Sequence, residues 1–145
     1  MTIRPYDAAR DADACLAVWR DASRAGHPFL GENALAADAV LVRDVYLPKA
    51  EIAVAEEDGR VVGFVALLGD IVGGLFVDPA WHGRGIGRAL VLHAAERKGG
   101  LAVDVYEANT GARAFYRRLG FVEKGRQETD SRNRPHPLLR LRRPG

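Results

Sequence analysis

The stretch LFVDPAWHGRGIGRAL, residues 75–90, decides the fold of this chain. A strand runs into a glycine-rich turn, and the turn opens directly into a helix that the apolar periodicity predicts over residues 85–98. Glycine lets a backbone approach a ligand without interference from a Cβ atom. A helix N-terminus presents unpaired N–H groups and the positive end of the helix dipole. The segment therefore predicts an anion site that suits a pyrophosphate, although a turn of this kind can also be purely structural.

The spacing of the glycines argues against two common nucleotide sites. The dinucleotide fingerprint is G-x-G-x-x-G, but the sixth residue counted from Gly83 is Arg88. The turn also follows a hairpin late in the chain, and a second βαβ unit does not fit in what remains. A P-loop would need Gly-Lys-Ser or Gly-Lys-Thr, and neither occurs. A nucleotide-binding enzyme is therefore the less favoured alternative.

The other elements follow an order that is typical of a mixed α/β domain with a mostly antiparallel first half. Asp58-Gly59 predicts a tight turn between two strands. Gly73 and Gly74 weaken the next strand and indicate a bulge or a close backbone approach. The predicted strands are 2–6, 51–55, 60–68, 71–77, 101–106, 121–127 and 138–141. The predicted helices are 11–23, 33–46, 85–98 and 110–119, the last capped by Asn109 and ended by Gly120.

Length and composition indicate one globular domain over residues 1–145. The net charge of +2 is too small for a protein that coats nucleic acid. The single cysteine, Cys15, excludes an internal disulfide and is typical of a small core residue. We find no signal-peptide pattern and no apolar run that could span a bilayer, which predicts a cytoplasmic protein without a membrane partner. Five arginines form either a solvated basic edge or a field that attracts an anionic cofactor: Arg132, Arg134, Arg140, Arg142 and Arg143.

Two motifs together point to a family. Residues 77–90 follow the pattern V-D-P-x-x-x-G-x-G-I-G-x-x-L, and residues 109–121, NTGARAFYRRLGF, follow N-x-x-A-x-x-F-Y-x-x-x-G-F. Both motifs, their separation and the order of elements resemble the GNAT superfamily of N-acetyltransferases over essentially the whole chain. Three further segments resemble its YjaB-like bacterial branch: HPFL at 27–30, VDVYEAN at 103–109 and PHPLLRL at 135–141.

The resemblance implies an α/β fold of the GNAT type in a single domain. A central mixed, mostly antiparallel sheet would be flanked by helices on both faces and split into a V where the cofactor lies. The implied reaction is direct transfer of an acetyl group from acetyl-CoA (coenzyme A) to an amine of a small molecule or peptide in a ternary complex. No metal and no nucleic acid would take part, and the protein would be a monomer or a homodimer.

The resemblance also implies a role for each site residue. Tyr116 is the catalytic residue, because a phenol with a pKa of about 10 stays protonated and can protonate the departing thiolate. Asn109 either binds the pantetheine amide or only caps its helix. The main chain of residues 75–77 pairs with the pantetheine arm like an added strand, and the N–H of Phe76 or Val77 meets the thioester oxygen. The remaining cofactor-binding residues are Leu75, His82, Gly83, Arg84, Gly85, Ile86, Gly87 and Arg88.

Two positions depart from the pattern. The superfamily often has Gln or Arg where this chain has His82, which affects a side-chain contact but not the backbone cradle. The branch commonly has Asn where this chain has Tyr106, a change that bears on the acceptor pocket. A regulatory module that binds acetyl-CoA with little catalysis would keep the same cradle, so it remains an alternative.

The sequence does not single out the base that makes the acceptor amine neutral. Several titratable residues lie in segments that the resemblance places near the acceptor. Each is more simply explained by solvation or by a local hydrogen bond than by catalysis. They are His27, Glu32, Asp104, Glu107 and His136.

Overall fold

The computed structural model describes all residues from Met1 to Gly145 and contains one mixed sheet of seven strands. The strands are β1 (Thr2–Pro5), β2 (Glu51–Glu57), β3 (Arg60–Leu68), β4 (Ile71–Val77), β5 (Leu101–Tyr106), β6 (Val122–Gln127) and β7 (Leu138–Arg143). Their order across the sheet is β1-β2-β3-β4-β5-β7-β6. Only β4 and β5 are parallel, and every other pair is antiparallel. The predicted fold class is confirmed.

Helices cover both faces of the sheet. They are α1 (Ala8–Gly26), α2 (Gly31–Leu41), α3 (Leu47–Lys49), α4 (Ile86–Lys98) and α5 (Thr110–Arg118). Helix α1 is longer than the predicted 11–23, because the Asp7 side chain caps its start by accepting from the Ala9 N–H. At its other end α1 continues to Gly26 instead of residue 23. Only His27 and a single 3₁₀ turn, Pro28–Leu30, therefore separate α1 from α2.

The predicted second helix, 33–46, is interrupted rather than continuous. After α2 the chain forms a π-helical turn, Val42–Tyr46, in which the Leu47 N–H reaches back five residues to the Val42 carbonyl. The wider turn accommodates Pro48, which lies inside the short α3 instead of ending the helix before it. The sequence pattern therefore located the helix but not its irregular end.

Two hydrophobic cores lie on opposite faces of the sheet. Helices α4 and α5 bury Leu90, Val91 and Tyr116 against one face. Helices α1 and α2 bury Trp19 and Leu35, among others, against the other face. Cys15 belongs to the second core, where burial raises the pKa of its thiol to about 12. The prediction of a small core cysteine is confirmed.

The start of α1 is fixed by a buried ion pair. The Arg4 guanidinium donates to both carboxylate oxygens of Asp11, at 2.8 and 2.9 Å, and the Asp7 N–H donates to Asp11 at 2.9 Å. Asp11 is only 1% exposed. The hydrogen bonds from Arg4 keep the pKa of Asp11 below its ordinary value in spite of its burial.

Replacing Asp11 by Asn should lower the free energy of unfolding by about 3 kcal/mol near neutral pH, because a largely buried guanidinium loses its bidentate charge partner and keeps only Glu56, 3.3 Å from its Nε. Urea denaturation measures this change. Since the folded-state pKa of Asp11 is lowered, its contribution is present above the unfolded pKa of about 4 and is lost as the pH falls below it. The difference between wild type and Asp11→Asn should therefore shrink in acid.

The matched control is Asp13→Asn, on the exposed side of the same helix. Substitutions at such positions change stability by less than about 0.5 kcal/mol. Equal losses of stability in the two variants would contradict a special role for the Arg4–Asp11 pair.

Candidate active site

A cleft opens where β4 and β5 part. The two strands pair only at Ile71 with Ala102 and at Val72 with Val103, near their amino ends. The carboxyl-terminal residues of β4 therefore have no partner strand on that side. Gly73 is the extra residue of a bulge, since Leu67 pairs with Val72 and Ala66 with Gly74. The V-shaped split and the predicted irregularity at Gly73 are both present.

The pairing of β4 with β3 decides which peptide groups face the cleft. The Asp78 N–H donates to the Val62 carbonyl of β3 at 2.9 Å. Peptide groups of successive strand residues point to opposite edges, so those of Phe76 also face β3. The peptide groups of Leu75 and Val77 then face the cleft. Two N–H groups were predicted to meet a thioester oxygen. That of Phe76 points to β3, so only that of Val77 faces the cleft.

The turn between β4 and α4 has the open backbone that the predicted cradle requires. Gly83 and Gly85 have φ angles of 77° and 78°, in the left-handed region that favours glycine. A Cβ atom at either position would meet no atom within 4 Å, so the backbone is open to a ligand. Gly85 caps α4, whose first N–H groups receive no side-chain cap. Ile86, the first residue of α4, is buried in the core, so it can offer only its main chain.

Gly87 serves a different purpose from the other two glycines. A Cβ atom at this position would lie 3.3 Å from Cζ of Phe115 on α5. The missing side chain therefore lets α4 pack against α5, and no unusual backbone angle is involved. The sequence pattern grouped the three glycines together, but it could not separate packing from ligand approach.

The side chains of the turn are held in place before any ligand binds. The Arg84 guanidinium stacks on the Trp81 ring, 4.6 Å from its centroid. His82 Nε2 lies 3.0 Å from the Val77 carbonyl oxygen, and it must carry the proton because a carbonyl cannot donate. Arg84 and Arg88 are exposed without an acidic partner, so both charges are available to an anion.

Tyr116 lies under the cleft on α5. Its residue surface is 5% exposed, and its ring packs between Phe115 and Phe121, with centroids 5.0 and 5.1 Å away. Burial raises the pKa of its phenol above the ordinary value, so the hydroxyl stays protonated. Asn109 caps α5 by accepting from the Ala112 N–H at 3.0 Å, which confirms the predicted cap.

A polar network that the sequence did not predict closes the far side of the cleft. Asp130, 3% exposed, accepts hydrogen bonds from the Tyr106 hydroxyl at 2.8 Å and from the N–H groups of Arg132 and Arg134 at 2.9 Å. The Arg134 guanidinium in turn binds Asp38 of α2. The D-x-R-x-R spacing from 130 to 134 is a turn signal, but Asp38 is more than 90 residues away along the chain.

The five C-terminal arginines are therefore not a free basic field. Each of them is tied to a carboxylate or a carbonyl of the protein. Of the two interpretations of this cluster, a solvated basic edge fits the structure better than a field that attracts an anionic cofactor. The partners are Asp38 for Arg132 and Arg134, Asp104 for Arg140, Asp70 for Arg142 and the Leu119 carbonyl for Arg143.

Four rings line the same side of the cleft. Tyr106 lies 4.9 Å from His27 and 5.3 Å from Phe29 between ring centroids, and Phe29 lies 5.3 Å from His136. We call His27, Phe29, Tyr106 and His136 the ring cluster. It joins the end of α1, the 3₁₀ turn, the end of β5 and the loop before β7. No group of three or more potential metal ligands occurs, and no helix is long and apolar enough to cross a membrane.

Comparison with known proteins agrees with this geometry. The GNAT acetyltransferase domain matches residues 48–123. The chain is 41% identical to peptidyl-lysine N-acetyltransferase YjaB of Salmonella typhimurium over 132 residues, which cover 90% of each chain. The solution structure of apo-form YjaB from Escherichia coli matches with a TM-score of 0.88 at 36% identity, over 97% of this chain and 95% of that one. These matches confirm the YjaB-like branch.

One more distant structure of the same fold was solved with a bound ligand. The crystal structure of PaiA N-acetyltransferase from Thermoplasma acidophilum in complex with coenzyme A has a TM-score of 0.75 over 100% of both chains. At 17% identity, this likeness shows the fold alone. The family domain covers more than half of the chain, and the YjaB proteins match nearly all of it. The chain therefore belongs to the GNAT family and is an N-acetyltransferase.

Proposed function

We propose that this protein transfers the acetyl group of acetyl-CoA to the side-chain amine of a lysine in a peptide or protein. One observation carries the proposal: the open edge of β4 leads directly into the glycine turn at the start of α4. The lysine acceptor is supported by the 41% identity to a peptidyl-lysine N-acetyltransferase. A cytoplasmic location, a single domain over residues 1–145 and a monomeric or homodimeric state remain predictions.

The open edge of β4 fits the pantetheine arm and the acetyl group. The peptide groups of Leu75 and Val77 have no partner strand and would pair with the two amides of the arm as an added strand would, with the Val77 carbonyl oxygen also accepting from His82. The Val77 N–H would donate to the thioester oxygen, where negative charge develops when the amine attacks. The cradle of Gly83 to Arg88 would hold the pyrophosphate, and Arg84 and Arg88 would add charge.

Tyr116 would supply the proton that the departing thiolate needs. The amine nitrogen forms a bond to the carbonyl carbon, the carbon–sulfur bond breaks, and sulfur leaves with the electron pair. The hydroxyl of Tyr116 takes part in no hydrogen bond within the protein, and burial keeps it protonated through a raised pKa. It can therefore donate to sulfur rather than to a neighbouring side chain.

Acetyl-CoA should raise the melting temperature more than NAD or ATP, because only a ligand of the folded state stabilises it by mass action. Thermal denaturation with each ligand measures this. Release of free thiol from acetyl-CoA in the presence of lysine peptides then tests the transfer, with aminoglycosides and polyamines as competing acceptors. A larger shift with NAD would contradict acetyl-CoA as the acetyl donor. Stabilisation by acetyl-CoA without thiol release would favour the regulatory module.

Gly85→Ala should weaken acetyl-CoA binding on the order of tenfold or more, since a Cβ atom enters the space that the pyrophosphate would occupy. The control is Gly59→Ala in the turn between β2 and β3. Gly59 has a φ of 76° and equally open surroundings, so both changes impose similar backbone strain. Calorimetric titration and urea unfolding separate affinity from stability. Equal affinities in the two variants would refute the cradle.

Tyr116→Phe should lower kcat on the order of 100-fold while the KM for acetyl-CoA stays nearly constant, because the variant loses a proton donor but keeps its ring. Steady-state kinetics with a lysine peptide measure both constants. The control is Tyr46→Phe, at a tyrosine that is 45% exposed. Turnover within about threefold of wild type, with chemistry rate-limiting, would rule out Tyr116 as the acid.

A further inference from the structure

The reaction needs a second proton-transfer group. A lysine ammonium has a pKa of about 10.4 and attacks only after it has lost a proton. The acidic candidates around the acceptor side are already engaged by arginines. Arg126 Nε donates to Glu107 at 2.8 Å, Arg24 Nε donates to Glu32 at 3.0 Å, and Arg140 binds Asp104. The hydrogen bond from Arg126 lowers the pKa of Glu107, and the other two carboxylates each have an arginine rather than the cleft as their partner.

Asp130 is unsuitable for the same reason. It accepts from the Tyr106 hydroxyl and from two main-chain N–H groups, and the Arg134 guanidinium lies 3.7 Å away. These donors keep its pKa below the ordinary value in spite of burial. Its role is to hold the loop before β7, not to exchange protons with a substrate.

His27 lies between the end of α1 and the carboxyl end of β5. Helix α1 ends one residue before it, and a Cβ atom on Gly26 would be 3.4 Å from Nδ2 of Asn109, the cap of α5. The His27 ring packs 4.9 Å from Tyr106 at the carboxyl end of β5. Because β4 and β5 pair only at their amino ends, this end of β5 is the mouth of the V. His27 therefore lies at this mouth, beside the end of β5 and next to the start of α5, the helix that carries Tyr116.

The surroundings of His27 favour its neutral form. Among the four histidines, only His82 makes a side-chain hydrogen bond within the protein, so both ring nitrogens of His27 are unpaired. The Phe29 ring and the Tyr106 phenol pack against the ring of His27, and His136 lies beyond Phe29. The acidic group that acts on it is Asp38 of α2, which is itself bound by Arg134. Burial lowers the pKa of His27, and the charge of Asp38 opposes this only partly.

We propose that His27 is the general base that accepts a proton from the lysine ammonium at the mouth of the cleft. This inference rests on the proposed lysine acetyltransferase function. The ammonium carries three protons and the amide product keeps one. One proton passes to His27 and then to solvent. The other balances the proton that Tyr116 gives to the coenzyme A thiolate, so that the phenol is restored at the end of the cycle.

The wild-type enzyme gives the first test. With His27 as base, kcat/KM for a lysine peptide should fall in acid with an apparent pKa below that of an exposed histidine, about 6.5, and should be level between about pH 7 and 9. Without a base, the rate should rise tenfold per pH unit towards the pKa of the free amine. A profile that keeps rising to pH 9.5 would overturn the proposal without any variant.

The variants give the second test. His27→Gln should lower kcat on the order of 100-fold at pH 7.5 and abolish the level region, with the acetyl-CoA affinity and the melting temperature preserved. His93→Gln, on α4 outside the ring cluster, should keep kcat within about threefold. Imidazole added to His27→Ala should restore part of the lost rate, which a merely structural histidine would not permit.

Failure of this inference can be told apart from failure of the proposed function. If wild type acetylates no lysine peptide, the proposed function fails and so does the assignment of His27 that rests on it. If wild type acetylates the peptide and His27→Gln does so within about threefold, with an unchanged pH profile, only the assignment of His27 is overturned. A parallel loss of rate and melting temperature, with no rescue by imidazole, would also overturn it.

Discussion

The separation of β5 from β4 after two residue pairs is the constraint on which the rest of the structure depends. Continued pairing would satisfy the peptide groups of Leu75 and Val77, whereas separation leaves them without a partner strand. An open strand edge normally invites unwanted pairing, but this one is sheltered between two halves of a sheet. Each half is a complete antiparallel ladder, β1 to β4 on one side and β5, β7 and β6 on the other. The cleft can therefore open without weakening either ladder.

On the acceptor side, where β4 and β5 no longer pair, polar contacts join the end of β5, the loop before β7 and α2. A buried carboxylate such as Asp130 is costly unless its oxygens are fully hydrogen-bonded, and here four groups surround it. These contacts give the loop before β7 one conformation, and Arg134 fastens it to Asp38 of α2. Such networks add more to geometry than to stability. Their effect here is to fix the position of the ring cluster beside the mouth of the cleft.

Local sequence signals were enough to predict most of the fold and the open glycine turn before α4. Strands 60–68, 71–77 and 101–106 were predicted with their exact bounds, because turn residues flank runs of clear apolar character. The π-helical turn before Pro48 was missed, since no residue pattern distinguishes it from a continuing helix. The separation of Leu75 and Val77 from Phe76 depends on strand register, and the Arg134–Asp38 pair depends on tertiary packing. Neither can be obtained from spacing along the chain.

Tyr106, which departs from the branch pattern, connects the two sides of the acceptor region. Its ring faces His27 and Phe29, while its hydroxyl reaches Asp130. An asparagine at this position would provide no ring and would be too short to donate to Asp130 without movement of the loop. The tyrosine therefore makes the acceptor side drier and more aromatic. A drier site disfavours the charged forms of both a lysine ammonium and His27, so one substitution eases deprotonation of the acceptor and keeps the proposed base neutral.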